Sequence, residues 1–232
     1  MPKTFRLLSV IIPVYNEQTT IAEVIEKVSA VELLIEKEII VVDDGSTDGT
    51  IDALQLSKEK VSSTYTASVN AGKGAAVRIG LSLAKGDIIV IQDADLELDP
   101  DELHRLIRPI LDGETSVVYG SRFLQPNSVP PLRYLANYFL TRVTNLLFGT
   151  KLTDMETAYK VLTREVVSQL ELLANRFDIE PEITAQIALR GHKIVEVPIS
   201  YRPRTNREGK KIKWQDGVKA LWTLVKYRFL KR

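Results

Sequence analysis

Apolar and polar residues alternate in blocks along the first half of the chain. Runs that are apolar throughout predict buried strands, and apolar residues three and four positions apart predict the helices between them. The strands are predicted at 7–15, 38–44, 63–69, 87–95 and 115–123, and the helices at 20–29, after Ser46, at 72–86 and at 100–111. Strands that alternate with helices predict an α/β fold, with a mostly parallel sheet and helices on both faces.

The second half of the chain has a different pattern. It predicts a long helix over 130–149, a helix over 177–191, a strand over 192–201 and an amphipathic helix over 213–230. No internal repeat or low-complexity linker separates the halves. We therefore expect one main domain over 1–201, with halves of about 1–123 and 124–201, followed by a basic loop and an amphipathic helix over 202–232.

Composition agrees with a packed globular domain. The chain has 232 residues, of which 44% are hydrophobic, and it contains no cysteine. Disulfides and thiolate chemistry are therefore excluded, which is compatible with a reducing cytosol. No apolar stretch reaches the roughly 18 residues of a membrane-spanning helix. The first apolar run lacks a cleavage site with small residues, so we interpret it as a buried strand and not as a signal peptide.

The charge is distributed unevenly. Residues 202–232 contain eleven Lys and Arg against two acidic residues, a balance of +9, so the preceding 201 residues sum to −8 within the total of +1. An acidic body with a basic tail predicts an anionic surface as a partner of the tail. The alternative is a solvated helix face. Nothing in the pattern predicts a nucleic-acid partner.

Polar side chains, together with Pro13, lie at the points where the predicted strands end. The polar residues are Tyr15, Asn16 and Glu17, then Asp43 and Asp44, then Asp93, Asp95 and Glu97, and finally Ser121 and Arg122. In open α/β sheets, ligands bind at the carboxyl ends of the strands. Carboxylates that converge there repel one another unless a cation lies among them. Mg²⁺ or Mn²⁺ fits, because both prefer oxygen ligands and often bridge carboxylates to phosphates.

Two other phosphate-binding sites are disfavoured. A dinucleotide site needs a glycine-rich turn after the first strand, but the turn here is PVYNE. The P-loop pattern GxxxxGK(S/T) is also absent. The segment NAGKGAA, at 70–76, opens a predicted helix with closely spaced glycines and could receive a phosphate at the helix N-terminus.

The motifs VIIPVYNE, VVDDGSTDGT, NAGKGAA and QDADLELDPDEL, in this order, resemble the inverting family 2 glycosyltransferases with the GT-A fold. The later motifs YGSRF, TDMETAYKVLTREVV, FDIEPEI and VPISYRPRTNREGKKI resemble the branch that contains dolichol-phosphate mannose synthases and polyprenyl-phosphate hexose transferases. The resemblance covers about residues 7–217. It implies a GT-A fold, to which the pattern of apolar residues adds amphipathic C-terminal helices.

The resemblance implies a role for each motif. The implied donor nucleotide-binding residues are Pro13, Tyr15, Glu17, Asp43, Asp44, Asn70, Lys73 and Gly74. The implied metal-site residues are Asp93, Asp95 and Glu97, of which Asp93 and Asp95 are also catalytic, because the metal bridges the donor diphosphate. Many mannose synthases carry glutamine where this chain has Glu97, so the resemblance leaves the hexose and the metal preference open.

The implied acceptor is a polyprenyl phosphate. Such a phosphate is ionised near pH 7 and needs cations to position it more than it needs a base, and guanidinium groups pair with phosphate through two hydrogen bonds. The expected acceptor residues are Arg122, which also counts as catalytic, Arg133 and Arg202, and Arg204 is a further candidate. Asp154 and Glu156 lie where the family places acceptor-side residues, although a loop or capping role is an alternative.

The C-terminal segment predicts a helix that lies on a membrane surface. Over 213–230 one face carries Trp214, Val218, Leu221, Trp222, Val225 and Phe229, and basic residues flank it. The segment 132–148 offers a second such face through Leu135, Phe139, Val143 and Leu147. The alternative is that both faces pack on the body or in a homodimer. We expect a peripheral protein on the cytoplasmic membrane face, with or without a membrane subunit.

The expected function is therefore metal-dependent transfer of mannose or glucose, with inversion, from GDP- or UDP-hexose to a polyprenyl or dolichyl phosphate. Two alternatives remain open at this stage. The same fold could use a sugar hydroxyl as acceptor, which requires a base such as Asp154 or a carboxylate near it. The chain could also be a non-catalytic partner that recruits another protein to a membrane.

Overall fold

The computed structural model describes residues 4–204 and 214–230. The strands are β1 (Leu7–Val14), β2 (Glu36–Asp43), β3 (Ser63–Thr66), β4 (Ile88–Ile91), β5 (Val117–Ser121), β6 (Lys160–Thr163) and β7 (Ile194–Pro198). The helices are α1 (Ile21–Ala30), α2 (Thr50–Leu56), α3 (Lys73–Leu83), α4 (Leu103–Leu111), α5 (Pro131–Phe148), α6 (Arg164–Val167), α7 (Ile179–Leu189) and α8 (Trp214–Phe229).

All seven strands form one sheet, in the order β3-β2-β1-β4-β6-β5-β7. Strand β6 is antiparallel to both of its neighbours, and the other pairs are parallel. The mostly parallel sheet predicted from the sequence is confirmed. The carboxyl ends of β1, β2, β4 and β5 consequently lie at one edge, where the polar residues that follow these strands meet.

Apolar residues of the central strands point alternately to two layers of helices. Val10 and Ile12 of β1 pack with α1 and α4, whereas Ile11 faces α3 on the other side of the sheet. Gly80 of α3 lies so close to β1 that a Cβ there would be 2.3 Å from Ile11 Cγ2. A small residue at this position therefore lets α3 approach the sheet, and the helix begins at the edge where the polar residues meet.

Strand β6 was not predicted from the sequence. It contains only four residues, KVLT, and Lys160 interrupts the apolar pattern. Lys160 is nevertheless fully buried, because its ammonium group donates to the carbonyl oxygens of Met155 and Thr157 and to the carboxylate of Glu180. Three acceptors offset the cost of burying this charge, so a lysine can occupy a central strand.

The C-terminal helix α8 packs on α5 and α7 with only part of its apolar surface. Ala220, Leu224 and Tyr227 are buried, while Trp214, Val218, Trp222 and Phe229 remain exposed. On α5, Leu135 and Phe139 are exposed, and Val143 and Leu147 pack partly against the core. Within the described ranges, no helix is long and apolar enough to cross a membrane. The predicted flanking residues Lys213, Lys231 and Arg232 lie outside the described residues.

Candidate active site

The turns after β1 and β2 are linked to each other by side chains. Asn16 adopts a φ of 51° between Tyr15 and Glu17, its backbone N–H donates to Ser46 Oγ, and its Oδ1 accepts from the Thr47 N–H. The Glu17 N–H in turn donates to Thr50 Oγ1 over 2.8 Å. Pro13 is buried beneath this pair of turns, and Tyr15 is half-buried. The PVYNE and DDGST motifs therefore form one rigid unit.

Asp43 and Asp44, both predicted to contact the nucleotide, are buried and hydrogen-bonded within the protein. Asp43 accepts from the hydroxyl and the N–H of Ser46 and so closes the turn after β2. Asp44 accepts from the N–H groups of Ala71 and Gly72 at 2.9 and 2.7 Å. Asp43 therefore closes its own turn and Asp44 holds the loop that begins α3, roles that the sequence interpretation did not include.

The loop around Lys73 rests directly on the backbone that precedes α7. A Cβ on Gly72, which has a φ of +106°, would be 2.4 Å from the Asn175 carbonyl oxygen, and a Cβ on Gly74 would be 2.4 Å from that of Ala174. Glycine is required here by the close approach of two backbones. Gly74, predicted to bind the nucleotide, is buried in this contact, whereas Asn70 is exposed at the rim.

Lys73, the first residue of α3, lies between two carboxylates. Its Nζ is 2.7 Å from Asp93 Oδ1 and 3.1 Å from Glu180 Oε1. Burial alone would lower the pKa of Lys73, but these two carboxylates raise it well above its usual range. The lysine is therefore a fixed positive charge beside the acidic turn after β4.

That acidic turn carries Asp93, Asp95 and Glu97. Burial, together with the charges of Asp93 and Glu97, raises the pKa of Asp95 to about 7. Glu97 is held in place, because its carboxylate accepts from the Tyr201 hydroxyl and the Arg204 N–H. Neighbouring carboxylates that disfavour one another's charge suit a divalent cation.

The protein alone does not complete a metal cage. Within residues 4–204 and 214–230, no group of three or more His, Cys, Asp or Glu side chains is arranged to hold a metal ion. Mg²⁺ is commonly bound by only one or two carboxylates, with substrate phosphates and water as its other ligands. Asp95 and Asp93 fit such an open site, and Glu97, tied to Tyr201 and Arg204, fits it less well.

The predicted acceptor arginines have different surroundings. Arg204 forms two hydrogen bonds with the Glu17 carboxylate, at 3.1 and 2.7 Å, and donates through Nε to the Asp95 carbonyl oxygen. It therefore joins the turns after β1 and β4. Arg202 is exposed, and Arg133 donates to the Arg204 carbonyl oxygen with Nη1 3.9 Å from Glu97.

Arg122 is paired within the protein. Its Nε and Nη2 donate to the two carboxylate oxygens of Asp154 over 2.7 and 2.8 Å, and its guanidinium lies over the Tyr201 ring. Burial alone would raise the pKa of Asp154, but Arg122 and Asn137 hold it below its usual range. The fully buried Asp154 therefore fixes the orientation of Arg122.

Two further carboxylates lie in this part of the protein. Glu180, in the first turn of α7, accepts from Lys160 over 2.5 Å and approaches Lys73. Glu156 is half-buried, and its Oε1 is shielded from solvent with no hydrogen-bond partner among the described residues. Burial raises the pKa of Glu156 to about 7.

Comparison with known proteins shows which family the chain belongs to. The family model described as Glycosyl transferase family 2 matches residues 9–171. The chain belongs to this family. The family expected from the motifs is thereby confirmed, and the model match covers both acidic turns, Lys73, Arg122 and Asp154.

The family 2 chain also resembles individual curated proteins. It is 32% identical over 214 residues to a dolichol-phosphate mannosyltransferase of Pyrococcus furiosus, covering 88% of this chain and 58% of that protein. It is 26% identical over 210 residues to an undecaprenyl-phosphate 4-deoxy-4-formamido-L-arabinose transferase of Aeromonas hydrophila, covering 88% of this chain and 63% of that protein. The chain thus spans less than two thirds of the length of these relatives.

Solved structures share the fold. Glucosyl-3-phosphoglycerate synthase from Mycobacterium tuberculosis, crystallised with Mn²⁺, UDP and glucosyl-3-phosphoglycerate, aligns with a TM-score of 0.76 at 24% identity, covering 96% of this chain and 80% of that chain. The GT-A fold expected from the sequence is confirmed. At this level of identity the likeness concerns the fold and not the substrates.

Proposed function

We propose that the chain transfers a hexose, mannose or glucose, from GDP- or UDP-hexose to a polyprenyl or dolichyl phosphate, with inversion. The observation that carries this proposal is the acidic turn after β4, where the pKa of Asp95 is raised beside the fixed charge of Lys73. The names of the two curated relatives support a lipid-phosphate acceptor.

The leaving nucleoside diphosphate gains negative charge during transfer. When bound at Asp93 and Asp95, Mg²⁺ or Mn²⁺ would supply positive charge to stabilise it. Lys73, held between Asp93 and Glu180, contributes a second positive charge in a fixed place. Such charges are effective because they need no reorganisation as the bond breaks. The linked turns that carry Tyr15, Glu17 and Asn70 form the expected nucleotide pocket.

An ionised acceptor phosphate can attack the anomeric carbon without a general base, from the face opposite the leaving group. Arg133 is a weaker candidate for this role, because its Nη1 is shielded from solvent and lies 3.9 Å from the Glu97 carboxylate. Arg202 has an exposed side chain that can reach solvent-borne anions. Arg122 keeps Nη1 outside its bidentate contact with Asp154, so it can contact one oxygen while Asp154 holds it.

The alternative with a hydroxyl acceptor needs a base. Asp154 is poorly suited, since its pKa is held low and its oxygens already accept from Arg122 and Asn137. The alternative of a non-catalytic recruiting partner leaves the Asp93, Asp95 and Lys73 arrangement without a purpose. Glu156, a carboxylate near Asp154 whose pKa is raised to about 7, would suit a base better, but the names of the two curated relatives support a phosphate acceptor.

The experiment is a transfer assay. Purified protein is incubated with Mg²⁺ or Mn²⁺, radiolabelled UDP-glucose or GDP-mannose, and undecaprenyl or dolichyl phosphate, and glycolipid is extracted and counted. We expect lipid-linked hexose from one donor, its loss with EDTA, and none from free dolichol. Transfer to free dolichol or to soluble sugars, but not to lipid phosphate, would contradict the proposed acceptor.

The same proposal includes a position on the membrane surface. Tyr134 and Tyr138 join Leu135 and Phe139 as exposed apolar residues of α5, and Trp214 and Trp222 are exposed on α8. Arg142, Lys219, Lys226 and Arg228 lie on the same two helices, and each cation near an anionic leaflet contributes about 1 kcal/mol. An acceptor anchored in lipid would then meet the site at this surface.

Vesicle co-sedimentation tests this position. Anionic liposomes should carry down the wild-type protein at low salt and less of it at high salt, because salt screens the attraction. Replacing Trp214 and Trp222 by serine should weaken binding. Replacing Leu34 and Leu56, which are exposed outside these helices, is the matched control and should not. Equal effects of the two double variants would contradict the assignment.

A further inference from the structure

Glu156 is exceptional among the carboxylates around Arg122. Asp154 is satisfied by Arg122 and Asn137, and Glu196 accepts from the Thr153 and Asp154 N–H groups. Glu180 is paired with Lys160. Glu156 makes no hydrogen bond or ion pair within the described residues, and its Oε1 is shielded from solvent. Buried polar groups in native proteins are nearly always satisfied, so the exception calls for a reason.

The charged groups around Glu156 cannot satisfy it. Lys160 and Arg122 favour its charged form and Glu180 and Asp154 oppose it, while burial raises its pKa to about 7. Lys160 already donates to three acceptors. Arg122 directs two nitrogens to Asp154. Among the described residues neither cation donates to Glu156 Oε1, which leaves a ligand or a water molecule as the donor for this carboxylate.

Glu156 interacts electrostatically with both halves of the site. The carbonyl oxygens of its neighbours Met155 and Thr157 accept from Lys160, and Lys160 pairs with Glu180. Glu180 lies 3.1 Å from Lys73, beside the acidic turn where we place the donor diphosphate. Glu156 also follows Asp154 by two residues, and Asp154 pairs with Arg122, where we place the acceptor phosphate. The group that lies between a diphosphate and an attacking phosphate is the sugar ring, whose hydroxyls are hydrogen-bond donors.

We propose that the Glu156 carboxylate accepts a hydrogen bond from a hydroxyl of the transferred hexose and thereby selects the sugar, not the nucleotide. This inference rests on the proposed function, because it assumes a nucleotide-sugar donor. Hydrogen bonds to charged groups are stronger than neutral ones, so the contact should contribute about tenfold or more to sugar binding. Sugars without a hydroxyl at the contacted position should lose this contribution.

The test is calorimetry with the full chain and Mn²⁺. UDP and GDP are compared with UDP-glucose, UDP-galactose, UDP-N-acetylglucosamine and GDP-mannose. Glu156→Met, which has similar size and no acceptor, should weaken the preferred nucleotide sugar about tenfold or more and change the affinity for the nucleoside diphosphate by less than about twofold. The affinity of Glu156→Gln for the nucleotide sugar should lie between the affinities of wild type and Glu156→Met.

Glu196→Gln is the matched control, because it alters a neighbouring carboxylate whose oxygens are occupied by Thr153 and Asp154. It should lower thermal stability and leave the discrimination between nucleotide and nucleotide sugar as in wild type. Glu156→Gln should keep or raise the melting temperature, since it removes a buried carboxyl that has no partner.

Each other outcome overturns the inference. If Glu156→Met weakens the binding of nucleoside diphosphate and nucleotide sugar equally, or weakens neither, Glu156 does not contact the sugar. A marked fall in melting temperature with Glu156→Gln would assign the residue a structural role. Unchanged sugar affinity with lost turnover on hydroxyl acceptors would make Glu156 a base. If wild type binds no nucleotide at all, the proposed function itself fails and the inference fails with it.

Discussion

Two acidic turns lie at the same edge of the sheet, and the protein uses their carboxylates differently. After β2, Asp43 and Asp44 are buried and accept hydrogen bonds from Ser46, Ala71 and Gly72. After β4, Asp95 lies among carboxylates, and burial and its neighbours raise its pKa to about 7. The first turn fixes its own shape and that of the loop before α3, whereas the second is the one to which we assign a metal ion under the proposed function.

The difference follows from what neighbours each turn. Around β2, Ser46 in the turn after β2 and the backbone N–H groups of the loop before α3 satisfy the two acids. Beside β4 lies the antiparallel β6, in which Val161 pairs with Val90. Because β6 runs in the opposite direction, the residues that precede it, including Asp154 and Glu156, lie at the edge of the sheet where β1, β2, β4 and β5 end. Ion pairs with Arg122 and Lys160 organise this part of the site.

Among changes that test this difference between the two turns, the largest effect is expected at Asp95. Asp95→Asn should lower transfer by about 100-fold or more, because it removes a charge that holds the metal against the leaving group. Since Asp95 is disfavoured as an anion, its loss should leave the melting temperature unchanged or raised. Steady-state transfer assays and thermal unfolding measure both effects. Near wild-type turnover would contradict the metal assignment.

Asp44→Asn should lower the stability of the protein and leave metal binding almost unchanged, which is the opposite of what we expect for Asp95→Asn. One of its two acceptor oxygens becomes an N–H₂ group facing the N–H donors of Ala71 and Gly72, so the free energy of unfolding should fall by about 2–3 kcal/mol. Urea unfolding gives this value. Metal affinity should stay close to wild type, and nucleotide affinity should fall only as far as the loop is displaced. A stable variant with abolished nucleotide binding would instead make Asp44 a direct ligand.

A smaller effect is expected far from either turn, at Tyr227 of α8. Its hydroxyl donates to Glu182 over 2.5 Å, and Glu182 also accepts from the N–H groups of Leu173 and Ala174, on which the Gly72 loop rests. Tyr227→Phe should cost about 1–2 kcal/mol and speed amide exchange in 171–175 and 71–75.

Tyr119→Phe is the control for this prediction, because its hydroxyl contacts Thr184 and not this loop. Hydrogen exchange followed by mass spectrometry separates the two variants. If both change the exchange of 71–75 to the same extent, α8 has no particular connection to the donor side of the site.

Sequence alone was sufficient for the parallel part of the fold. Fully apolar strands predicted the sheet, and the polar residues after them predicted the edge at which they meet, because the apolar pattern of each strand determines its burial locally. The binding of a ligand at that edge stays a prediction. Sequence alone was not sufficient for β6, where a buried lysine hides a short strand. The pairs Arg204–Glu17 and Arg122–Asp154 also escaped prediction, since residues 187 and 32 positions apart meet only through the fold.

The most direct test of the central claim is Mn²⁺ binding followed by the EPR signal of the free aqueous ion. Addition of wild-type protein together with UDP or GDP should diminish this signal, because the diphosphate and the Asp95 turn bind the ion jointly. Asp95→Asn should leave most of the signal in place, and Asp43→Asn should not. If Asp95→Asn removes as much Mn²⁺ from solution as wild type does, the turn after β4 is not the metal site and the account is wrong.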